Sequence, residues 1–337
     1  MLAQMLFMQP PVPALPTSLN FHGKTVLVTG ANSGLGRAAC LHYLQRNVST
    51  LIITVRRASE GEAVKAELLA HPDVKNEPKI LVFELDLSSH SSVIAFASKL
   101  RAEVDCLHIA LLNAGVFLLD WKVSPHTQNE MTFQVNYLSN AILSLLLLPL
   151  LRATAEANSL LAPSYLSIVA SQKYNESRYI ANPIPESTTI FDAFNDEKGS
   201  QPWLLYADSK LLVRLFVKEL AKHVDPSTVI INCMCPGMVK TNLARNLSFP
   251  LRLAGRLVLS VRARSPEVGS RVLVNATGGA GKESHGEMLV VYQVLPVIPW
   301  IESKEGERMQ TSLWRETVEE AEKNASEASV AASSKVS

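Results

Sequence analysis

Of the seven tyrosines in the chain, Tyr206 alone has a lysine four positions later, Lys210. On a helix, residues four apart share a face, so a phenol and an ammonium can serve one site. A free tyrosine titrates near pH ~10, and a neighbouring cation stabilises the phenolate and draws that value down. A tyrosine so placed could protonate an alkoxide as hydride arrives at carbon, or deprotonate an alcohol in the reverse direction. By itself the pair is a weak signal, because any exposed helix can carry it.

A second constellation lies near the start. The run Lys24 to Thr29 ends in Thr29-Gly30-Ala31-Asn32-Ser33-Gly34-Leu35-Gly36, and a helical pattern opens at Leu35. Glycines in such a turn let backbone N–H groups close on a pyrophosphate at a helix N-terminus, where the dipole favours anions. The bland alternative is a plain tight turn. About twenty residues further on, an NAD site places an acid against the ribose 2′-hydroxyl. Here Arg56 and Arg57 occupy that spacing, with no acid before Glu60. Guanidinium groups suit a 2′-phosphate, so NADP(H) is expected over NAD(H). The competing reading is two solvated arginines opening a loop.

These residues need a scaffold, and the pattern supplies one. Strand-like runs at Lys24–Thr29, Thr50–Val55, Lys79–Glu84, Cys106–Leu112, Tyr165–Ala170 and Thr228–Cys235 alternate with helical stretches at Leu35–Arg46, Glu60–Ala70, Ser89–Glu103, His126–Leu151 and Trp203–Lys222. Strand after strand separated by helices predicts right-handed βαβ units: an α/β, single-domain, Rossmann-type doubly wound parallel sheet with helices on both faces. Residues 172–202 hold no clear element, and 238–282 read as helical outside the βα rhythm. Segments that long inside a compact domain are usually functional.

The motifs, in this order, resemble the short-chain dehydrogenases/reductases in their non-extended form, over about residues 22–295. They are TGANSGLG at 29–36, an acid after the third strand at Asp86, LNAG at 112–115, Asn136 in QVNYLS, Ser171 in SIVAS, YADSK at 206–210 and PGMVKT at 236–241. The proline-rich lead, SHGE at 284–287 and SLWRET at 312–317 are similar to fungal secondary-metabolism members related to retinol dehydrogenases. The resemblance implies Tyr206 as general acid/base, with Lys210 binding the nicotinamide ribose and depressing the tyrosine pKa. It implies Ser171 on the substrate oxygen and Asn136 holding a water in a relay to Lys210. On the cofactor side it implies Gly30, Asn32, Ser33, Gly34, Leu35 and Gly36 around the phosphates, Arg56 at the ribose, and Asp86 near the adenine. Asn113, Ala114 and Gly115 would line the cleft, and Pro236, Gly237, Val239 and Thr241 would border the nicotinamide. Ser167 competes with Ser171 for the hydroxyl role, and Asn136 could instead be a buried amide bonded to backbone.

One departure from the family pattern stands out. Thirty-five positions separate Ser171 from Tyr206, far more than the family usually has. The insertion carries Tyr174, Tyr179, Ile180, Phe191, Phe194 and Trp203. It would either overhang the site and favour a bulky apolar substrate, or form a surface flap clear of ligand. Between 238 and 264, Leu243, Leu247, Phe249, Leu253, Leu257 and Leu259 mix with Arg245, Arg252, Arg256, Arg262 and Arg264. This is expected to be a helical substrate lid, the other reading being a membrane-surface stretch.

Bulk properties narrow the partners. Lys plus Arg (32) nearly balances Asp plus Glu (31), so no basic face recommends nucleic acid as a partner. A small apolar molecule is expected instead. Four cysteines without zinc spacing read as thiols in a reducing, cytoplasmic setting, with no metal. Residues 1–20 lack Lys and Arg, and Pro10, Pro11, Pro13 and Pro16 interrupt them. They predict a surface segment packed on the domain rather than a leader, peripheral membrane contact being the minor alternative. The apolar run Ala141–Leu151 is too short to span a bilayer and suits either a core or a homodimer interface. The domain proper is expected over 21–318, and the Ala/Ser/Glu/Lys-rich tail from Glu319 is expected to be disordered. The same scaffold and residues also admit a non-redox cyclase, isomerase or dehydratase, or a dinucleotide-sensing protein.

Overall fold

A computed structural model describes residues 9–158, 162–241 and 263–324. Eight strands form one sheet in the order β3-β2-β1-β4-β5-β6-β7-β8. They are β1 Thr25–Val28, β2 Thr50–Val55, β3 Lys79–Glu84, β4 Ile109–Leu112, β5 Ser164–Val169, β6 Val229–Cys235, β7 Met288–Val290 and β8 Gln293–Val294. Every pairing is parallel until β8, which turns back antiparallel on β7. The order reverses between β1 and β4, the point at which a doubly wound sheet opens a crevice beyond its carboxyl strand ends.

Alternation along the strands splits the core into two layers. Val26 and Val28 pack on one face with Leu51, Ile53 and Leu273. Leu27 and Ile52 face the other way, toward Val93, Leu146 and Leu215. The first face is covered by helix α1 (Gly34–Leu44), helix α2 (Ala58–Leu69) and a late helix over Pro266–Ala276; the second by α3 (His90–Glu103), α4 (Met131–Ala157) and the long helix Leu205–Lys222. Both faces of the parallel strands are thus buried, which explains their nearly continuous apolar character.

The helix expected over 126–151 is displaced. It begins at Met131, where Glu130 accepts a hydrogen bond from Phe133 N at 2.7 Å and caps it, and it runs on to Ala157. Its mean hydropathy is 1.6 with 78% of the apolar window buried, so this stretch is a core helix of the fold. Residues 134–138 widen into a π turn, a distortion that often marks a functional site.

The insertion carries more order than its sequence announces. It holds a 3-10 turn at Gln172–Glu176, helix α5 (Arg178–Ala181) and helix α6 (Ile190–Asn195). Tyr174, Tyr179 and Phe194 are buried in the main core, where Phe133 packs on both Phe191 and Phe194 at 5.1 Å between ring centroids. The aromatic residues therefore extend the core, and only Trp203, at 63% exposure, stands open to solvent. After the insertion come α7 (Leu205–Lys222), α8 (Pro266–Ala276) and α9 (Lys304–Asn324).

Among the described residues of 238–282, α8 and the start of a 3-10 turn at Lys282–Ser284 are helical, and Val239 bridges Arg264 in an extended pairing. The lid residues from Leu243 to Arg262 lie outside the described residues. The tail does not fray at Glu319, since α9 continues to Asn324. There Ala321 is fully buried and Glu320 lies 3.6 Å from His90. From Gln9 onward the lead segment packs on the domain, with Val12 and Leu15 buried.

Candidate active site

The glycine turn and its neighbour strand form one locked unit. Gly30 adopts φ +65°, a left-handed conformation that costs glycine least. The Asn113 amide donates to Thr29 O at 2.9 Å and Gly30 O at 3.3 Å, while Thr29 Oγ1 accepts from the N–H groups of Asn113 and Ala114 at 2.9 and 3.0 Å. Asn113 thus ties the end of β4 to the turn after β1. A β-carbon on Gly36 would meet Asn113 Nδ2 at 2.6 Å and Gly30 O closer still. At Gly34 one would touch Thr241 Cγ2 at 3.2 Å, so the loop after β6 crosses the start of α1.

The start of α1 fits an anionic ligand. Ser33 makes no side-chain capping bond and the first turn carries no acid. The N–H groups that open the helix therefore keep their donor capacity and the positive end of the dipole without a carboxylate to neutralise it. Asp86 sits after β3 with Oδ1 accepting from Ser88 N at 2.9 Å and Ser88 Oγ at 2.8 Å. Arg56 is exposed and forms no ion pair among the described residues, whereas Arg57 Nε donates to Glu60 at 2.8 Å. Asn32 Nδ2 donates to the same carboxylate at 3.4 Å.

The proposed proton-handling groups meet at the carboxyl ends of β4 and β5 and the first turns of α7. Ser171 lies two residues past β5, with its hydroxyl close enough to the Tyr206 phenol to lower that group's pKa. The rival hydroxyl, Ser167, is fully buried and donates to Asn232 Oδ1 at 2.7 Å, tying β5 to β6. Lys210 is 5% exposed, with Nζ donating to Val169 O at 2.9 Å and lying 5.6 Å from the Tyr206 ring centroid. Gly115 separates Asn136 from this ammonium, since a β-carbon there would stand 3.0 Å from Asn136 Oδ1 and 4.0 Å from Lys210 Nζ.

Asn136 lies in the π turn, and its side chain is occupied by structure. Oδ1 accepts from Val116 N at 2.7 Å, and Nδ2 donates to Val116 O at 2.9 Å and Ser209 Oγ at 3.1 Å. The amide therefore staples the segment after β4 to α7, and at side-chain level the backbone-bonded alternative holds.

Electrostatics correct one expectation. Burial, then the Cys235 thiol, push the Tyr206 phenol up to about 12, and the Ser171 hydrogen bond only partly offsets them. Burial likewise holds the Lys210 ammonium down to about 8. Lys210 is aimed at a carbonyl rather than at the phenol oxygen, and desolvation outweighs its charge. A phenol of that kind stays protonated at neutral pH and is a ready proton donor.

Three residues near the site were not singled out from the sequence. Phe117 packs edge-on against Tyr206 at 5.1 Å between centroids and forms an apolar wall beside the phenol. Asp208, buried inside the YADSK run, accepts from Ser177 Oγ at 2.7 Å and pairs with Arg178 Nε at 3.0 Å, so it ties the insertion to α7. Gln9 reaches the loop after β6. None of these carries a spacing signal, because each partner is distant in the chain. SHGE proves structural, with Ser284 accepting from Asn232 at 3.1 Å and Glu287 pairing with buried Arg214 at 2.5 Å.

Acid titration reads the Asp208 tie. Burial raises its carboxyl from the ordinary carboxylate range to about 6. The folded state therefore favours the protonated form, and that contribution to stability is complete below the ordinary value and lost as pH rises through 6. The unfolding temperature of the native chain relative to Asp208→Asn should fall between about pH 4 and pH 6 and level off above. Parallel curves would show that Asp208 is not the titrating group.

Comparison with known proteins agrees with this geometry. The family model described as short chain dehydrogenase matches residues 24–164 and 194–250, leaving out most of the insertion. The short-chain dehydrogenase/reductase tropG of Talaromyces stipitatus is 37% identical over 317 residues, covering 93% of this chain and 95% of that protein. The short chain dehydrogenase macD of Penicillium terrestre is 38% identical over 316 residues, with 93% and 95% covered. Among solved structures, the Pseudomonas aeruginosa RhlG/NADP active-site complex superposes with a TM-score of 0.59 at 22% identity, covering 80% of this chain and 95% of that one. A 3-ketoacyl-(acyl-carrier-protein) reductase from Brucella melitensis complexed with NADH gives 0.56 at 17% identity, covering 80% and 97%. With its sheet order, glycine turn and tyrosine–lysine helix, the chain belongs to the short-chain dehydrogenase/reductase family and is an NAD(P)-dependent oxidoreductase.

Proposed function

We propose that the protein is an NADPH-dependent carbonyl reductase acting on a bulky, largely apolar ketone or aldehyde of secondary-metabolite type, or the corresponding alcohol dehydrogenase in reverse. The observation that carries this reading is the convergence of Ser171, Tyr206 and Lys210 beyond the sheet's carboxyl edge. The bound nicotinamide supplies the hydride. Ser171 orients the carbonyl oxygen by hydrogen bonding, and Tyr206 delivers its phenolic proton to that oxygen as negative charge develops. Lys210 keeps positive charge beside the phenol while the proton leaves. Phe117, packed on the Tyr206 ring, supports an apolar substrate. Four unpaired thiols fit a reducing, cytoplasmic setting.

Preference for NADPH rests on Arg56, the exposed guanidinium at the 2′-phosphate spacing. Charge-assisted bonds to phosphate contribute about 1.5–3 kcal/mol each, so Arg56→Asp should shift the NADPH/NADH ratio of kcat/KM toward NADH by about tenfold or more. An unchanged ratio would remove Arg56 from cofactor choice. The Glu60 carboxylate near Asn32 favours the second reading, NADH, and the same measurement decides between them. The reaction class itself is tested by absorbance at 340 nm with a panel of bulky ketones. Cofactor oxidation matched by alcohol formation supports it, and substrate conversion with unchanged cofactor overturns it.

A further inference from the structure

The lead segment is bonded to the loop after β6 by a set of contacts that packing alone does not require. Gln9 binds the Met238 backbone at two points, with Nε2 donating to Met238 O at 2.8 Å and Oε1 accepting from Met238 N at 2.7 Å. Arg264 joins the same cluster, with Nη1 donating to Pro236 O at 2.8 Å and Nη2 to Pro10 O. Its backbone pairs with the loop in both directions, Arg264 N to Met238 O and Lys240 N to Arg264 O, each at 2.9 Å. Gly237, at φ +75°, leaves room for this, since a β-carbon there would meet Arg264 Nη1 at 2.6 Å and Gln9 Oε1 closer still. Residues more than two hundred positions apart thus grip one short loop from outside. The inner side of that loop touches the glycine turn through Thr241 and Gly34.

We propose that Gln9 and Arg264 are positioning residues for the nicotinamide half of the cofactor, a clasp that fixes the height of Pro236–Thr241 over the cleft. The inference rests on the proposed reading of this loop as the nicotinamide border. Gln9 satisfies both the donor and the acceptor of Met238 at the turn, and Arg264 binds the carbonyl two residues earlier. The 236–239 backbone therefore has little freedom to tilt, and a loop held in place before binding loses less entropy when it closes on a ligand. On the same reading the adenine half would lie beside Asp86 and Arg56, which follow β3 and β2 at one edge of the sheet, whereas the clasp holds the loop after β6, three strands beyond β1.

That division sets the experiment. Dissociation constants are measured by fluorescence for NADPH and for 2′-phospho-ADP-ribose, which lacks the nicotinamide, with NADH and ADP-ribose run alongside. Native chain, Gln9→Ala and Arg264→Met are compared. Gln9 lies at the surface, so its truncation leaves the core intact and keeps the test valid if Arg264→Met folds poorly. Losing two hydrogen bonds of ordinary strength predicts about a five- to tenfold rise in the NADPH constant of Gln9→Ala. The nicotinamide-free probe should move by less than about twofold, because no bond to it is lost. Equal weakening of both probes would reduce the clasp to general structural support, and no change in either would remove it; both results overturn the inference. A native chain that binds the nicotinamide-free probes yet neither complete cofactor overturns the clasp while leaving the adenine site standing. Failure of all four probes overturns the dinucleotide reading itself and the clasp with it.

Discussion

Tyr206→Phe should lower the carbonyl-reduction rate by about a thousandfold, within the range by which a positioned general acid accelerates proton transfer, while leaving NADPH affinity within about twofold. The ring stays against Phe117 and the helix is undisturbed, so only the phenolic hydroxyl beside Ser171 is lost. Folding should be nearly unaffected, which separates chemical loss from structural loss. The pH profile adds an independent check. With the phenol raised to about 12, it remains a proton donor throughout neutral pH, so reduction should be flat there. The first active-site group to lose its proton on alkalinisation is Lys210, held down to about 8. Reduction should therefore decline above that pH as the supporting charge disappears. Alcohol oxidation needs the phenolate, so it should rise with pH up to about 8, where loss of the Lys210 charge begins to limit it. Retained activity in Tyr206→Phe would remove this residue from the mechanism.

Gly36→Ala should cost cofactor affinity about a hundredfold and stability about 1–3 kcal/mol, the range for overpacking a tight site. The added methyl would stand 2.6 Å from the Asn113 amide and closer to Gly30 O. Neither neighbour can yield cheaply, because Asn113 holds both Thr29 and Gly30 carbonyls and through them the end of β4. The turn must open, which misaims the N–H groups at the start of α1 that would grip a phosphate. Gly23→Ala is the matched control. Gly23 also has a positive φ, +75°, but a β-carbon there meets nothing within 4 Å. It should cost about 1–2 kcal/mol of backbone strain with cofactor affinity unchanged. Calorimetric titration with NADPH and thermal unfolding of both variants check the contrast, and equal loss of affinity in the two would remove the phosphate-gripping role from the Gly36 turn.

What could be read ahead of the fold was what neighbouring residues encode. Val26, Val28 and Leu27 alternate between faces, and Tyr206 and Lys210 stand one helical turn apart; both are periodicities of a few residues. The glycine turn is equally local. The strands β7 and β8 span only three and two residues, too short for a period to register. Helix α9 was hidden for another reason: its mostly polar sequence buries Gln310, Glu316 and Thr317 alongside Met309 and Leu313. Glu316 is stabilised there by accepting from the N–H groups of Ile190 and Phe191 at 3.0 and 2.9 Å, partners no local pattern announces. The insertion's place in the fold is not legible in the sequence, because aromatic content signals burial somewhere but not against what. Phe133 and α9, far away in sequence, decide that Tyr179 and Phe194 complete the core. Gln9, Asp208 and Phe117 carry no local signal for the same reason, each being defined by a contact across the fold.

The measurement that bears most directly on the central claim is transfer of deuterium from nicotinamide-deuterated NADPH to a bulky ketone. The protein should place one deuterium on the carbinol carbon for each NADPH consumed, and Tyr206→Phe should bind the labelled cofactor yet transfer almost none. Product free of deuterium, formed while the cofactor is recovered unchanged, would contradict the account and assign Tyr206 and Lys210 to chemistry without hydride transfer.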